Sequence, residues 1–183
     1  EEIHHFELDI VDTVAPESES EIIGPYYDDG EKLYVDGVTE IALNCVDPEP
    51  HPVGLDKDSL QYRYEHEDPT GARVWTPWMS YDGAFSFPEE SRHVLEYKCT
   101  DLLNNVEPTH NETYYVDHTK PVTSLVYGAP FVGSDGYAKW ITSNTDVALS
   151  ATDYFGFDHD SGVNFTKYRV TLMDGDGACE SAH

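Results

Sequence analysis

The chain has 183 residues, 36 of them acidic and 10 basic, for a formal net charge of −26. Such a surface repels nucleic acid and anionic lipid and attracts cations, so nucleic acid is not expected as a partner. No apolar run approaches the roughly 20 residues that span a bilayer, and no basic segment followed by an apolar one marks a secretory leader, which is expected to have been removed or to lie outside this chain.

Residues 1–12 read as a lone strand, Leu8 and Ile10 alternating with Glu7 and Asp9 until Pro16 ends it. The Glu/Ser run over 17–21 reads as a solvated edge or linker, and Gly24-Pro25 and Asp28-Asp29-Gly30 as turns. A clear strand follows, with Ile41, Leu43 and Cys45 on one face and Ala42 and Asn44 on the other. Pro48, Pro50 and Pro52 then force extended backbone. Leu60, Tyr62 and Tyr64 form the inward face of the next strand, and Asp68-Pro69-Thr70-Gly71 is a β-turn sequence. Trp75 and Trp78 are expected to pack inward, their other use being a platform on which a glycan stacks. Phe85 and Phe87 follow at strand spacing. A further strand sets Leu95, Tyr97 and Cys99 against Val94, Glu96 and Lys98, and the last strand lies around Thr113–Val116. No stretch has helical period with caps, so short strands separated by turns predict an all-β sandwich.

The chain repeats itself. Val11-Asp12-Thr13-Val14-Ala15-Pro16 faces Val116-Asp117-His118-Thr119-Lys120-Pro121 at a spacing of 105 (12 to 117). Upstream, His5-Phe6-Glu7 faces His110-Asn111-Glu112. Thr39–Asp47 faces Thr145–Asp153 at 106, so a loop has gained one residue, and Gln61–Tyr64 faces Lys167–Val170. This period suits a string of small domains rather than a solenoid. The predicted organisation is 1–12 as the last strand of a preceding repeat or a donor strand, 13–118 as a complete domain, and 119–183 as an incomplete second one. Beginning and ending inside a repeat is expected of a fragment or a processed product. Half a sandwich exposes an apolar face and open strand edges. The missing strands are expected either further along a longer repeat array or from another copy, donated head to tail by the 1–12 strand.

Several constellations carry possible chemistry. Asp153, Asp158, Asp160 and Asn164 offer oxygen ligands in a glycine-containing loop that partly resembles a calcium loop, without the spacing or terminal Glu of an EF-hand. Asp101 with Asn105, and the junction carboxylates Asp12 and Asp117, are further Ca²⁺ candidates; an ion at each junction would stiffen the string. Asn111-Glu112-Thr113 and Asn164-Phe165-Thr166 are N-glycosylation sequons at strand edges. Cys179 has no evident partner. No phosphate loop, nucleophile elbow or His-Glu-x-x-His occurs, and no catalytic residues are assigned.

Cys45 and Cys99 lie on inward faces of strands that a sandwich places in opposite sheets, as a bridge or as two buried thiols. With Tyr97 two residues before the second cysteine, the arrangement resembles the inter-sheet disulfide and tyrosine corner of the immunoglobulin fold. It departs in having Tyr62 or Tyr64 where that fold carries a third-strand tryptophan. The resemblance implies a Cys45–Cys99 disulfide worth about 3–4 kcal/mol, and an oxidising compartment. Ala151 stands at the equivalent of Cys45, so the fold does not require the bridge.

His93–Asp101, Asn105-Val106-Glu107 and Tyr115–Pro121 together resemble the immunoglobulin-like repeats of bacterial and archaeal surface proteins. That resemblance implies a structural, non-enzymatic role in a surface layer, stalk or filament, extracellular and in contact with copies of itself. The other reading is a calcium-dependent adhesion or carbohydrate-binding module, with surface glycans as partners, attached to a larger secreted protein.

Overall fold

A computed structural model describes residues 9–133, 139–154 and 159–171. These divide into two compact units that change over between His118 and Thr119, residues 159–161 counting with the first. Every described element is a strand or a turn. The first unit holds β1 (Glu17–Ile23), β2 (Tyr26–Asp28), β3 (Leu33–Val35), β4 (Glu40–Val46), β5 (Leu60–Glu67), β6 (Arg73–Trp75), β7 (Met79–Ser80), β8 (Arg92–Cys99) and β9 (His110–Val116).

Two layers face each other in this unit. One is the antiparallel pair β1–β4, extended by mutual backbone bonds between Ile41 and Phe85 (2.7 and 3.1 Å). The other runs β2-β3-β9-β8-β5-β6, with β7 also on β5; β3 joins β9 in parallel and the rest pair antiparallel. Alternation decides what lies between the layers. Ile41 and Leu43 from β4, Leu95, Tyr97 and Cys99 from β8, and Tyr114 and Val116 from β9 are buried together with Phe87. Tyr62 and Tyr64 pack against this cluster from β5, in the ring spaces beside Phe85 and Phe87. Cys45 and Cys99 are bonded, joining β4 of one layer to β8 of the other.

Three expectations need correction. The run over 17–21 is strand, not linker: Ser18 and Ser20 face inward, where their hydroxyls donate to Glu107 and Glu112. An inward serine reads as solvated in a sequence because its carboxylate partner lies some 90 residues away. Residues 9–12 carry no strand, while the rest of the lone strand expected over 1–12 lies outside the described residues. Neither tryptophan enters the core. Trp75 and Trp78 lie on the outer side of β5, where the Arg63 guanidinium sits 4.6 and 4.8 Å from their ring centres and Lys98 4.7 Å from that of Trp78. Arg63 and Lys98 alternate outward on their strands, and cation–π attraction draws the indoles over them.

The described strands of the second unit repeat the first four of the first unit. It holds β10 (Val122–Tyr127), β11 (Phe131–Val132), β12 (Trp140–Ile141) and β13 (Val147–Thr152). Ser18 pairs with Cys45 and Ile22 with Ile41 in the β1–β4 ladder; their counterparts Thr123 with Ala151, and Tyr127 with Val147, pair in β10–β13. The β2–β3 contact Tyr26–Val35 likewise returns as Phe131–Ile141. Thr39 donates its hydroxyl to the Pro25 carbonyl, and Thr145 donates to that of Pro130. Residues 167–170, expected to mirror 61–64, form no strand. In the first unit that strand is held by its long ladder to β8. Val122, Val126 and Val147 are about half exposed or more, where Ile41 in the first unit is fully buried.

Candidate cation site

Three loops meet at one end of the first unit. Asp12 precedes β1, Asp47 follows β4 and Asp101 follows β8, and one carboxylate oxygen from each lies within 4.8 Å of the others. The local cause is the disulfide. Asp47 stands two residues after Cys45 and Asp101 two residues after Cys99, so the covalent bond between the strands brings their two outgoing chains together. The backbone then closes the loops: Leu102 N–H donates to the Gly54 carbonyl (3.1 Å), and Gly54 turns at φ +92°.

Each carboxylate is aimed by backbone N–H groups. Asp12 accepts from Val14 (3.0 Å) through Oδ1 and from Val53 (2.9 Å) through Oδ2. Asp101 accepts from the N–H groups of Leu103 and Asn105 (both 2.8 Å) at Oδ1, and from the Asn105 amide (2.7 Å) at Oδ2. Burial pushes the Asp101 carboxyl upward, but these hydrogen bonds outweigh it and hold the group below the ordinary carboxylate value. The same Asn105 amide reaches the Asp12 carbonyl at 3.4 Å, tying the incoming chain to the β8–β9 turn. Asp47 accepts from Gly54 N–H through Oδ2, while its Oδ1 is buried with no hydrogen-bond partner. A buried, unpartnered carboxylate oxygen is costly, and a cation among the three aspartates would satisfy it. The donors are all hard oxygens, which fit Ca²⁺, Mg²⁺ or Mn²⁺ rather than a thiolate- or imidazole-seeking metal.

The structure thus joins Asp12, Asp101 and Asn105, which the sequence offered as separate candidates, and adds Asp47, which it did not. A signal existed: Asp47 closes a matched segment whose counterpart, Asp153, was itself a candidate. Asp117, the counterpart of Asp12, accepts a backbone bond from Ser161 (2.7 Å) much as Asp12 does from Val53. Gly162 repeats the positive φ of Gly54, at +82°. Asp153 is buried, whereas Asp158 and Cys179 lie outside the described residues. Among the described residues no three carboxylates of the 153–164 loop cluster.

Other candidates fall elsewhere. Asn111 is exposed on β9 opposite Glu96, and Asn164 is exposed outside any strand. Tyr97 does not make the expected tyrosine-corner bond to upstream backbone: its hydroxyl donates to Glu112 (2.9 Å), and burial, with that carboxylate, pushes its pKa up to about 12. Buried Glu107 and half-buried Glu112 form a polar seam with β1, through Ser18 and Ser20, and Tyr114 also donates to Glu112. The described residues contain no helix long and apolar enough to cross a membrane. No protein-family model matches this chain, and neither do curated proteins or solved structures.

Proposed function

We propose that the protein is a structural, non-enzymatic repeat of an extracellular surface layer, stalk or filament, built from immunoglobulin-like modules in tandem. In this reading Asp12, Asp47 and Asp101 take a hard divalent cation, calcium foremost, at the point where the chain enters a module. The supporting observation is that β10–β13 share the order and register of β1–β4, and that an aspartate accepting from a later backbone N–H precedes each set. A cation there ties the incoming segment, through Asp12, to the loops leaving β4 and β8. The disulfide fits an oxidising compartment. Contacts with further copies would cover the exposed apolar residues of β10 and β13, and head-to-tail donation of the exposed segment around Ile10 and Val11 is one route.

The test is thermal melting of the full chain in chelator and in millimolar Ca²⁺, alongside Asp47→Asn. The expected result is a melting temperature several degrees higher with calcium in the parent and unchanged in the variant. Equal melting of the parent in both conditions removes the cation. Labelling of intact source cells with an antibody tests the location, and recovery only after lysis overturns it. A carbohydrate-binding module is the second reading, favoured by the 40% exposure of Trp75 on the outer face. Glycan binding that is lost in Trp75→Ala with the fold intact would select it.

A further inference from the structure

A second ionisable cluster lies inside the first unit, away from the aspartates. The crossover between β7 and β8 carries Phe85 and Phe87 between the layers and then presents Glu89 to two histidines. His66 Nδ1, from β5, stands 3.4 Å from one Glu89 oxygen, and His93 Nε2, from β8, stands 3.4 Å from the other. The two imidazoles are stacked, with centroids 6.1 Å apart and planes 14° from parallel. His93 is fully buried, with Phe87 at 4.4 Å and Tyr64 at 5.6 Å.

The hydrogen-bond inventory of His93 is unusual for so enclosed a ring. Its Nδ1 faces the Ser91 carbonyl at 3.2 Å and its Nε2 faces the Glu89 carboxylate, so both neighbours are acceptors. A neutral imidazole has one N–H and can serve only one of them; an imidazolium serves both. Against that proton stand complete burial and the facing His66 ring. Other polar groups around the cluster are engaged elsewhere. Tyr114, opposite His93 on β9, donates to Glu112, and Arg92 pairs with Glu65 at 3.6 Å. Asp68, which follows β5 beyond His66, accepts from Thr70 and Ala72. On β5 itself Arg63 pairs with Glu96 (2.7 Å), Glu67 lies 4.0 Å from Arg73, and the Tyr62 and Tyr64 hydroxyls complete the titratable groups.

We propose that His66, Glu89 and His93 form a proton-operated latch that fastens the β7–β8 crossover to the sheet and loosens it in acid. At neutral pH the uncharged His93 ring meets the Glu89 carboxylate through Nε2, with His66 stacked beside it and its Nδ1 3.4 Å from the other Glu89 oxygen. A proton taken up by His93 places charge on a fully enclosed ring, where burial disfavours the charged form. Desolvation lowers the pKa of His93 more than Glu89 and the Ser91 carbonyl raise it. The unfolded chain therefore takes up this proton first, and stability present above the ordinary histidine value of about 6.5 is lost as the pH falls below it.

The experiment is urea unfolding of the full chain at steps from pH 7.5 to 5.5, for the parent and His93→Gln, with NMR titration of the parent's histidine resonances. The expected result is a fall of about three- to tenfold in the parent's folding constant over that range. The fall should shrink in the variant, and the His93 resonance should titrate below 6.5. A parent and variant with the same pH dependence overturn the latch. So does a His93 midpoint at or above 6.5, a measurement that decides the matter even where the variant does not fold.

Discussion

Removing the Cys45–Cys99 bridge is the sharpest perturbation of the fold, because its cost can be worked from one number. The bond closes a loop with a sequence separation of 54. In the chain-entropy account that restriction of the unfolded chain stabilises the folded unit by about 4 kcal/mol at 25 °C. The native side adds little to the loss, since the neighbouring ladders do not depend on sulfur: β10–β13 keeps the β1–β4 register with Ala151 in the place of Cys45. Cys45→Ala with Cys99→Ala should therefore fold, lose about 3–4 kcal/mol in urea unfolding, and show a steeper denaturant slope because its unfolded state is more open. If the proposed cation site holds calcium, the same variant should bind it more weakly, since Asp47 and Asp101 each stand two residues beyond a bridged cysteine. A loss below about 1 kcal/mol with an unchanged slope would refute the entropic reasoning. Calcium binding equal to that of the parent would refute the claim that the bridge sets the aspartates.

Phe87, 2% exposed and ringed by Phe85, Tyr64, His93 and Tyr114, should cost about 3–5 kcal/mol when changed to alanine, measured by the shift in urea midpoint. Gly37 has no room for a side chain: a Cβ there would lie 2.6 Å from Nε2 of His118. Gly37→Ala should destabilise by about 1–3 kcal/mol, and His118→Ala in the same chain should restore most of it. Tyr97 should resist ionisation in an absorbance titration until about pH 12. Because its folded pKa is raised, the stability it contributes is present below the unfolded value near 10 and lost as the pH rises from there towards 12.

Much of this architecture was legible beforehand because strand alternation is a local property. Ile41, Leu43 and Cys45, and Leu95, Tyr97 and Cys99, declare an inward face by spacing alone, and the repeat announces two units. The polar interior was not legible. Ser18 and Ser20 become core residues only because Glu107 and Glu112 arrive opposite them from β9 and the turn before it. The tryptophans mislead for a related reason. Their apolar area argues for burial, but the cations on the outer face offer them a partner that no local pattern shows.

The sequence by itself determined the all-β class and the internal repeat, since each depends on residue type at short or repeated spacing; it placed Cys45 and Cys99 on inward faces, and the structure bonds them. Only the tertiary structure decided which carboxylates meet. Asp12, Asp47 and Asp101 are scattered over about half the chain and come within 4.8 Å because three loops share one end of the sandwich. The same holds for His66, Glu89 and His93, drawn from two strands and a crossover. Chemistry of this kind is a property of loop convergence, and convergence is fixed by packing rather than by any local run of residues.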